Sequence, residues 1–247
     1  MPAMIIGVTT PRAPECKRGL AVNLAASVSR NSGARVCVVD GDPLTRDVST
    51  RLPVRGAMLE DYATAAMPSV DRIGLLPTPE IAVLGSCADG LGRARLAAER
   101  ATPVLRAHFD LVVWDLLAGP TGPGRIVGAR LEILDWLLLA VTPEQRSVRA
   151  AAHFLEHFET ARSRGAIDER LRFGIVCTGD EGCVAMSPEE VEAELGTPIV
   201  GAVPQLWGRS EPNLGFGPAL AIPELDDAVD ALVARLYEEP KVPTQSA

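Results

Sequence analysis

Between Arg12 and Arg18 the chain reads Arg-Ala-Pro-Glu-Cys-Lys-Arg, three cations in seven residues, after an apolar run and before a helical one. A strand, a short loop and a helix start in that order form the setting of phosphate loops, because loop amides and a helix N-terminus face an anion there. The chemistry of such a loop is nevertheless missing at named positions. Its N–H groups point inward where glycine makes φ > 0 cheap, and here the positions hold Ala13, Pro14 and Cys16. Pro14 has no N–H and holds φ at about −65°. Cys16 in a left-handed conformation costs roughly 1–2 kcal/mol. Arg18 stands where a hard cation needs a Ser or Thr hydroxyl, and a guanidinium offers no oxygen. Asp40, Asp42 and Asp115 each follow an apolar, strand-like run. Two carboxylates at one strand edge repel unless a cation lies between them, so Arg18 can take the metal's place and pair with Asp40 or Asp115. The plainer alternatives are an Asp-Gly turn at Asp40 and, for Arg12 and Lys17, solvated charges on a surface loop.

The elements that must position these groups alternate along the chain. Apolar runs predict strands over Met4–Thr9, Arg35–Val39, Ile73–Leu76, Ile81–Leu84, Leu111–Trp114, Trp136–Val141, Phe173–Cys177 and Ile199–Val203. Several are apolar throughout, the pattern of parallel strands buried on both faces. Helical spacing predicts helices over Arg18–Arg30, Leu91–Ala107, Arg125–Leu134, Ser147–Arg164, Pro188–Leu195 and Leu225–Tyr237. Ser187-Pro-Glu-Glu is a helix start, with Ser as N-cap and Pro at N1. The alternation means a mostly parallel sheet with helices on both faces, and ligands of such sheets bind at the carboxyl ends of the strands.

In that register the chain resembles the MinD/ParA family of deviant Walker-A P-loop ATPases from about Met4 to Leu236. The family loop KGGxGKT, followed by a helix containing NLA, corresponds to RAPECKR followed by GLAVNLA. VVDGDP with Asp40 and Asp42 is similar to the family's second acidic motif, and FDLVVWDLLAG with Asp115 to Walker B. WLLLAVTPEQRSVRAA and GTPIVGAVP are similar to two later family segments. The resemblance implies a three-layer P-loop NTPase-like α/β fold, with one domain over residues 1–239 and a flexible tail over 240–247. It puts Arg12 in the place of the lysine that reaches across a dimer, Lys17 in that of the ordinary P-loop lysine, and Arg18 in that of the Mg²⁺-binding hydroxyl. Thr178 stands where the family places an adenine-holding Asn, and Pro204 closes the late strand of the same base-side region. Losing the metal ligand and the glycines together argues against phosphoryl transfer, which depends on positioned charge and metal.

The chain therefore reads as a degenerate, pseudo-ATPase member, a bacterial positioning or assembly factor for division, pilus, secretion or chromosome machinery. Family members of the CpaE/TadZ type act as localisation hubs for pili. The alternative is an active ATP-dependent dimerisation switch with an unusual phosphate loop. No cofactor and no metal site is expected, and ATP or ADP would bind weakly. Protein partners are expected and a homodimer is allowed. The formal charge of −8 gives no general attraction for DNA or anionic lipid, so direct DNA binding and membrane insertion are not expected. Five cysteines without a CxxC pair read as reduced thiols, and Met1–Gly7 lacks a basic n-region. The expected location is cytoplasmic, with recruitment to membrane, pole or septum by a partner. His153 and His157 at i, i+4 lack an evident third ligand. Trp207, Leu214 and Phe216 read as ordinary packing. The acidic polar face of the last helix, with Asp226, Asp227 and Asp230, reads as a helix packed on the domain.

Overall fold

Strands buried on both faces are apolar over most of their length, and Val36–Gly41 and Leu111–Leu116 are buried throughout, Asp40 and Asp115 included. In the computed structural model they lie side by side within an eight-stranded sheet. The structure describes residues 3–12, 17–42, 46, 48, 52, 55–77, 80–86, 91–117, 131–179, 186–204 and 223–238; of Lys17, Arg18, Pro77, Leu91, Gly92, Pro223 and Glu224 it describes the backbone alone.

The strands are β1 (Met4–Thr9), β2 (Val36–Gly41), β3 (Gly74–Pro77), β4 (Glu80–Leu84), β5 (Leu111–Leu116), β6 (Trp136–Val141), β7 (Arg172–Gly179) and β8 (Ile199–Pro204). Their order in the sheet is β3-β4-β2-β5-β1-β6-β7-β8. Every pairing is parallel except that of β3 with β4, a hairpin at one side. The described helices are α1 (Lys17–Ser32), α2 (Asp61–Thr64), α3 (Leu91–His108), α4 (Gln145–Ser163), α5 (Pro188–Leu195) and α6 (Pro223–Tyr237). Side chains of α2, α3, α4 and α5 pack in one core with Val39, Trp114 and Leu139. Those of α1 and α6 pack in a second core with Val38, Val113 and Leu138 on the other face. This is the three-layer α/β architecture that the alternation predicts.

All eight expected strands are present, and several run further than their apolar cores. β2 continues through Asp40 and Gly41, β5 through Asp115 and Leu116, and β7 through Thr178 and Gly179. The alternative of an Asp-Gly turn at Asp40 does not hold: both residues lie in β2. Gly41 serves close approach instead, since a Cβ there would stand 3.0 Å from the Asp115 carbonyl oxygen and 3.1 Å from Trp114 Cε3. The expected helix over 125–134 is corrected at its end to a 3₁₀ turn, Leu131–Ile133, followed by non-helical Leu134; residues 118–130 lie outside the described residues. Helix α4 starts at Gln145, two residues before the expected Ser147, whose Oγ accepts from Thr142 N–H at 3.2 Å. The start of α5 is as expected, with Ser187 and Glu190 forming a reciprocal capping box. Asp226 and Asp230 of α6 bind Arg30 of α1, and Leu225, Val229, Leu232 and Leu236 are buried, so α6 is packed on the sheet as expected.

Candidate functional site: the carboxyl edge of the sheet

Side chains alternate between faces along a strand, and register partners in adjacent strands share a face. Asp40 and Asp115 are register partners on β2 and β5. Val38 and Val113, two residues earlier on each strand, sit in the core beneath α1, so both carboxylates lie on the α1 face. Val8 of β1 is Asp115's partner on the other side. Two residues on, Thr10 donates from Oγ1 to the Arg12 carbonyl at 2.8 Å and tightens the turn that opens the loop. Helix α1 returns down this face, and near its far end Ser29 Oγ donates to the Glu80 carbonyl at 3.0 Å, at the opposite edge. Its first residues, Lys17 and Arg18, therefore start at the carboxyl edge, beside the aspartates.

Asp40, Asp42 and Asp115 are all 0% exposed. Asp42, just past the end of β2, donates its N–H to Asp40 Oδ1 at 3.3 Å. The positive end of the α1 dipole lies on the same side, an arrangement that favours negative charge. Arg12, expected to be exposed, is half-buried, because the Thr10 turn draws the loop against the strand ends. Ala13, Pro14 and Cys16 lie outside the described residues, as do the side chains of Lys17 and Arg18, and with them the expected ion pair of Arg18.

Further along the same edge, Thr178 of β7 is 2% exposed, and its Oγ1 has no hydrogen-bond partner among the described residues. Its register partner Val203 lies in the α1-side core. Thr178 thus shares a face with Asp115, three strand spacings or roughly 14 Å away. Pro204 pairs with Gly179 and sits one residue beyond, on the other side of the pleat. The neighbouring Cys177 thiol is pushed up to about 11, by burial first and by the charge of Glu189 second. This suits an inert buried thiol.

Glu60 was not singled out from the sequence. It is 1% exposed, and Ser86 Oγ donates to its Oε1 at 2.6 Å. Leu59 N–H donates to the Gly85 carbonyl at 2.7 Å, which fixes this carboxylate at the carboxyl end of β4, next to β2. No local signal separates Glu60 from exposed Asp61; burial by β4 does. The described residues hold no cluster of three or more His, Cys, Asp or Glu with metal-binding geometry. His153 and His157 are exposed, and the Nδ1 of His157 faces the His153 carbonyl at 2.7 Å.

No protein-family profile matches the sequence, and no curated protein is similar to it. Solved structures are. A ParA family ATPase from Chlorobium tepidum superposes with a TM-score of 0.74 over 95% of this chain and 99% of that one, at 16% identity. The fold is that of the MinD/ParA ATPases. The MinD of the MinC:MinD cell division complex from Aquifex aeolicus superposes with a TM-score of 0.74 over 96% of both chains, at 17% identity. The septum site-determining protein MinD of Pyrococcus horikoshii, complexed with Mg-ADP, gives the same three values. This chain carries the MinD/ParA fold nearly end to end.

Proposed function

We propose that this chain is a degenerate MinD/ParA-like protein, a bacterial positioning or assembly factor that works through protein–protein contacts with weak or absent ATP hydrolysis. One observation carries the reading: Asp40 and Asp115 are register partners, fully buried, on the face where α1 begins. This supports reading the two carboxylates as the acidic half of a nucleotide site. The phosphate and metal half departs from it. The second residue of α1 is Arg18, a residue type with no oxygen to offer Mg²⁺. The residues present do not fit Mg-ATP, and no catalytic step is assigned to them. Thr178 offers a buried hydroxyl where the resemblance puts an adenine-holding amide. Among the structural neighbours, one MinD is bound to MinC and another holds Mg-ADP. The first kind of association is carried over to this chain; the second is not. Among the described residues no helix is long and apolar enough to cross a membrane.

Calorimetry with ATP and ADP, with and without Mg²⁺, tests the nucleotide side. Phosphate release is expected to be no faster than in Lys17→Ala. Clear Mg²⁺-dependent turnover that Lys17→Ala abolishes overturns the proposal in favour of an ATP-driven dimerisation switch. Restoring the loop with Ala13→Gly, Pro14→Gly, Cys16→Gly and Arg18→Thr is expected to raise nucleotide affinity in the same assay.

A further inference from the structure

The two sides of the sheet are built differently. β3 closes one side as a short hairpin strand of four residues ending in Pro77, a residue that cannot donate to a further strand. β8 closes the other with six residues, and among the described residues it pairs with β7 alone. Most strands of this sheet are buried almost throughout, whereas Ile199, Val200 and Gly201 are half-buried and Ala202 is exposed. A groove of about 580 Å³ runs along this strand between α5 and α6, lined by Glu189, Glu192, Pro198, Gly201, Ala202 and Arg235 among others. From β8 itself, Ile199, Gly201 and Ala202 line it.

One donor of this strand already shows what it accepts. Ile199 N–H donates to Glu192 Oε2 at 3.0 Å, so a side-chain carboxylate holds a position that a neighbouring strand's carbonyl could hold. The wall carrying Glu192 is acidic. Helix α5 has four glutamates, Glu189, Glu190, Glu192 and Glu194, and no Lys or Arg. Glu190 is engaged in the capping box, while Glu189 and Glu192 line the groove. Arg235 is the one cation among its described lining.

The geometry points to β8 as a docking edge, on which a partner protein lays a basic, extended segment as a ninth strand. Main-chain hydrogen bonds supply the attachment, and the flanking carboxylates select the charge. An incoming carbonyl takes over the Ile199 N–H, and Glu192 is then released to pair with a lysine or arginine of the segment. A second copy of this chain is the poorer occupant. Two β8 strands pairing about a two-fold axis bring two acidic α5 helices together, and like charges so placed repel. This surface is separate from the carboxyl edge and does not depend on the nucleotide reading.

The test uses the full chain without nucleotide, so its result stands apart from the ATP assays. The probe is a peptide of alternating lysine and valine, (Lys-Val)₄, compared with (Glu-Val)₄ and with (Lys-Val)₄ N-methylated at alternate amides. (Lys-Val)₄ is expected to slow amide hydrogen exchange by about tenfold at those amides of Ile199–Val203 that face away from β7. The other two peptides are expected to leave these amides unchanged. Glu189→Gln combined with Glu192→Gln is expected to weaken binding of (Lys-Val)₄ by about fivefold, and more at low salt. Three results overturn the proposal: no protection by (Lys-Val)₄, equal protection by the N-methylated peptide, or binding indifferent to the double substitution. A peptide-free dimer in sedimentation that Ala202→Arg dissociates also overturns it, by assigning the edge to a second copy.

Discussion

Aspartates stand at both rims of the sheet, in opposite surroundings. At the amino rim, Asp110 precedes β5 and takes the fork of Arg35, with Nε–Oδ2 at 3.2 Å and Nη2–Oδ1 at 3.0 Å, while both side chains remain about half exposed. Asp135 precedes β6, accepts from Ile5 N–H at 2.7 Å and lies beside Arg106. At the carboxyl rim, Asp40, Asp42 and Asp115 are wholly buried on the α1 face. A surface carboxylate with a guanidinium beside it asks little of the fold. Buried carboxylates on adjacent strands repel each other and lose hydration, so they persist where something compensates them. Groups held in such surroundings mark functional sites more often than structural ones. The amino rim is ordinary ion pairing, and the carboxyl rim gathers three buried carboxylates on the side where α1 begins.

The largest effect that separates the rims is expected from Arg18. If its guanidinium compensates Asp40 and Asp115, Arg18→Ala leaves buried charge uncompensated, a loss that reaches about 3–5 kcal/mol when burial is complete. Arg12→Ala, at a half-buried position, is expected to cost less. Thermal melts of the two variants compare them directly, and equal, negligible shifts would remove Arg18 from the site. Next comes glycine packing. Gly41→Ala pushes a methyl against Asp115 O and Trp114 Cε3, and overpacking of this kind costs about 1–3 kcal/mol. Its counterpart toward the amino rim is Gly33, at φ 63° with nothing within 4 Å of an added Cβ. Gly33→Ala is expected to cost about 1 kcal/mol, from backbone conformation alone. Urea unfolding of both variants tests the order, and a costlier Gly33→Ala would contradict the tight β2–β5 approach.

The smallest effect belongs to Asp110. The side-chain hydrogen bond from Arg35 is the main cause that lowers its pKa from 3.8 to about 2. A depressed carboxyl pKa stabilises the fold above the ordinary value, and that contribution is lost as pH falls from 3.8 through about 2. Asp110→Asn is therefore expected to flatten the acid limb of stability across that window and to leave neutral-pH stability almost unchanged, since both partners are largely solvated. Stability measured by denaturant at stepped pH reads this out. An unchanged acid limb would mean that the pair contributes nothing.

Much of the site was legible from residue types. Asp40, Asp115 and Thr178 each end an apolar run, and such runs place their last residues at a strand's carboxyl end whatever the sheet order. Glu60 was not legible, because a carboxylate beside Asp61 carries no sign that β4 will cover it. The length of β2 was misread for a related reason. Asp-Gly is a turn signal in isolation, but the ladder with β5 holds both residues extended, and glycine is used for closeness. The helix expected over 125–134 rested on apolar spacing alone, and its described end is a single tight turn.

The sequence by itself determined the eight strands and most of the helices, because burial on two faces demands local apolar runs that are visible along the chain. Only the tertiary structure decided that β2 and β5, some 70 residues apart, are neighbours, so that Asp40 faces Asp115 across one register step. It alone decided that α1 lies on the face that carries both carboxylates and that β8, last in the sheet among the described strands, has Glu189 and Glu192 beside it. Strand order comes from packing between distant segments, and no local periodicity encodes which apolar run will lie against which.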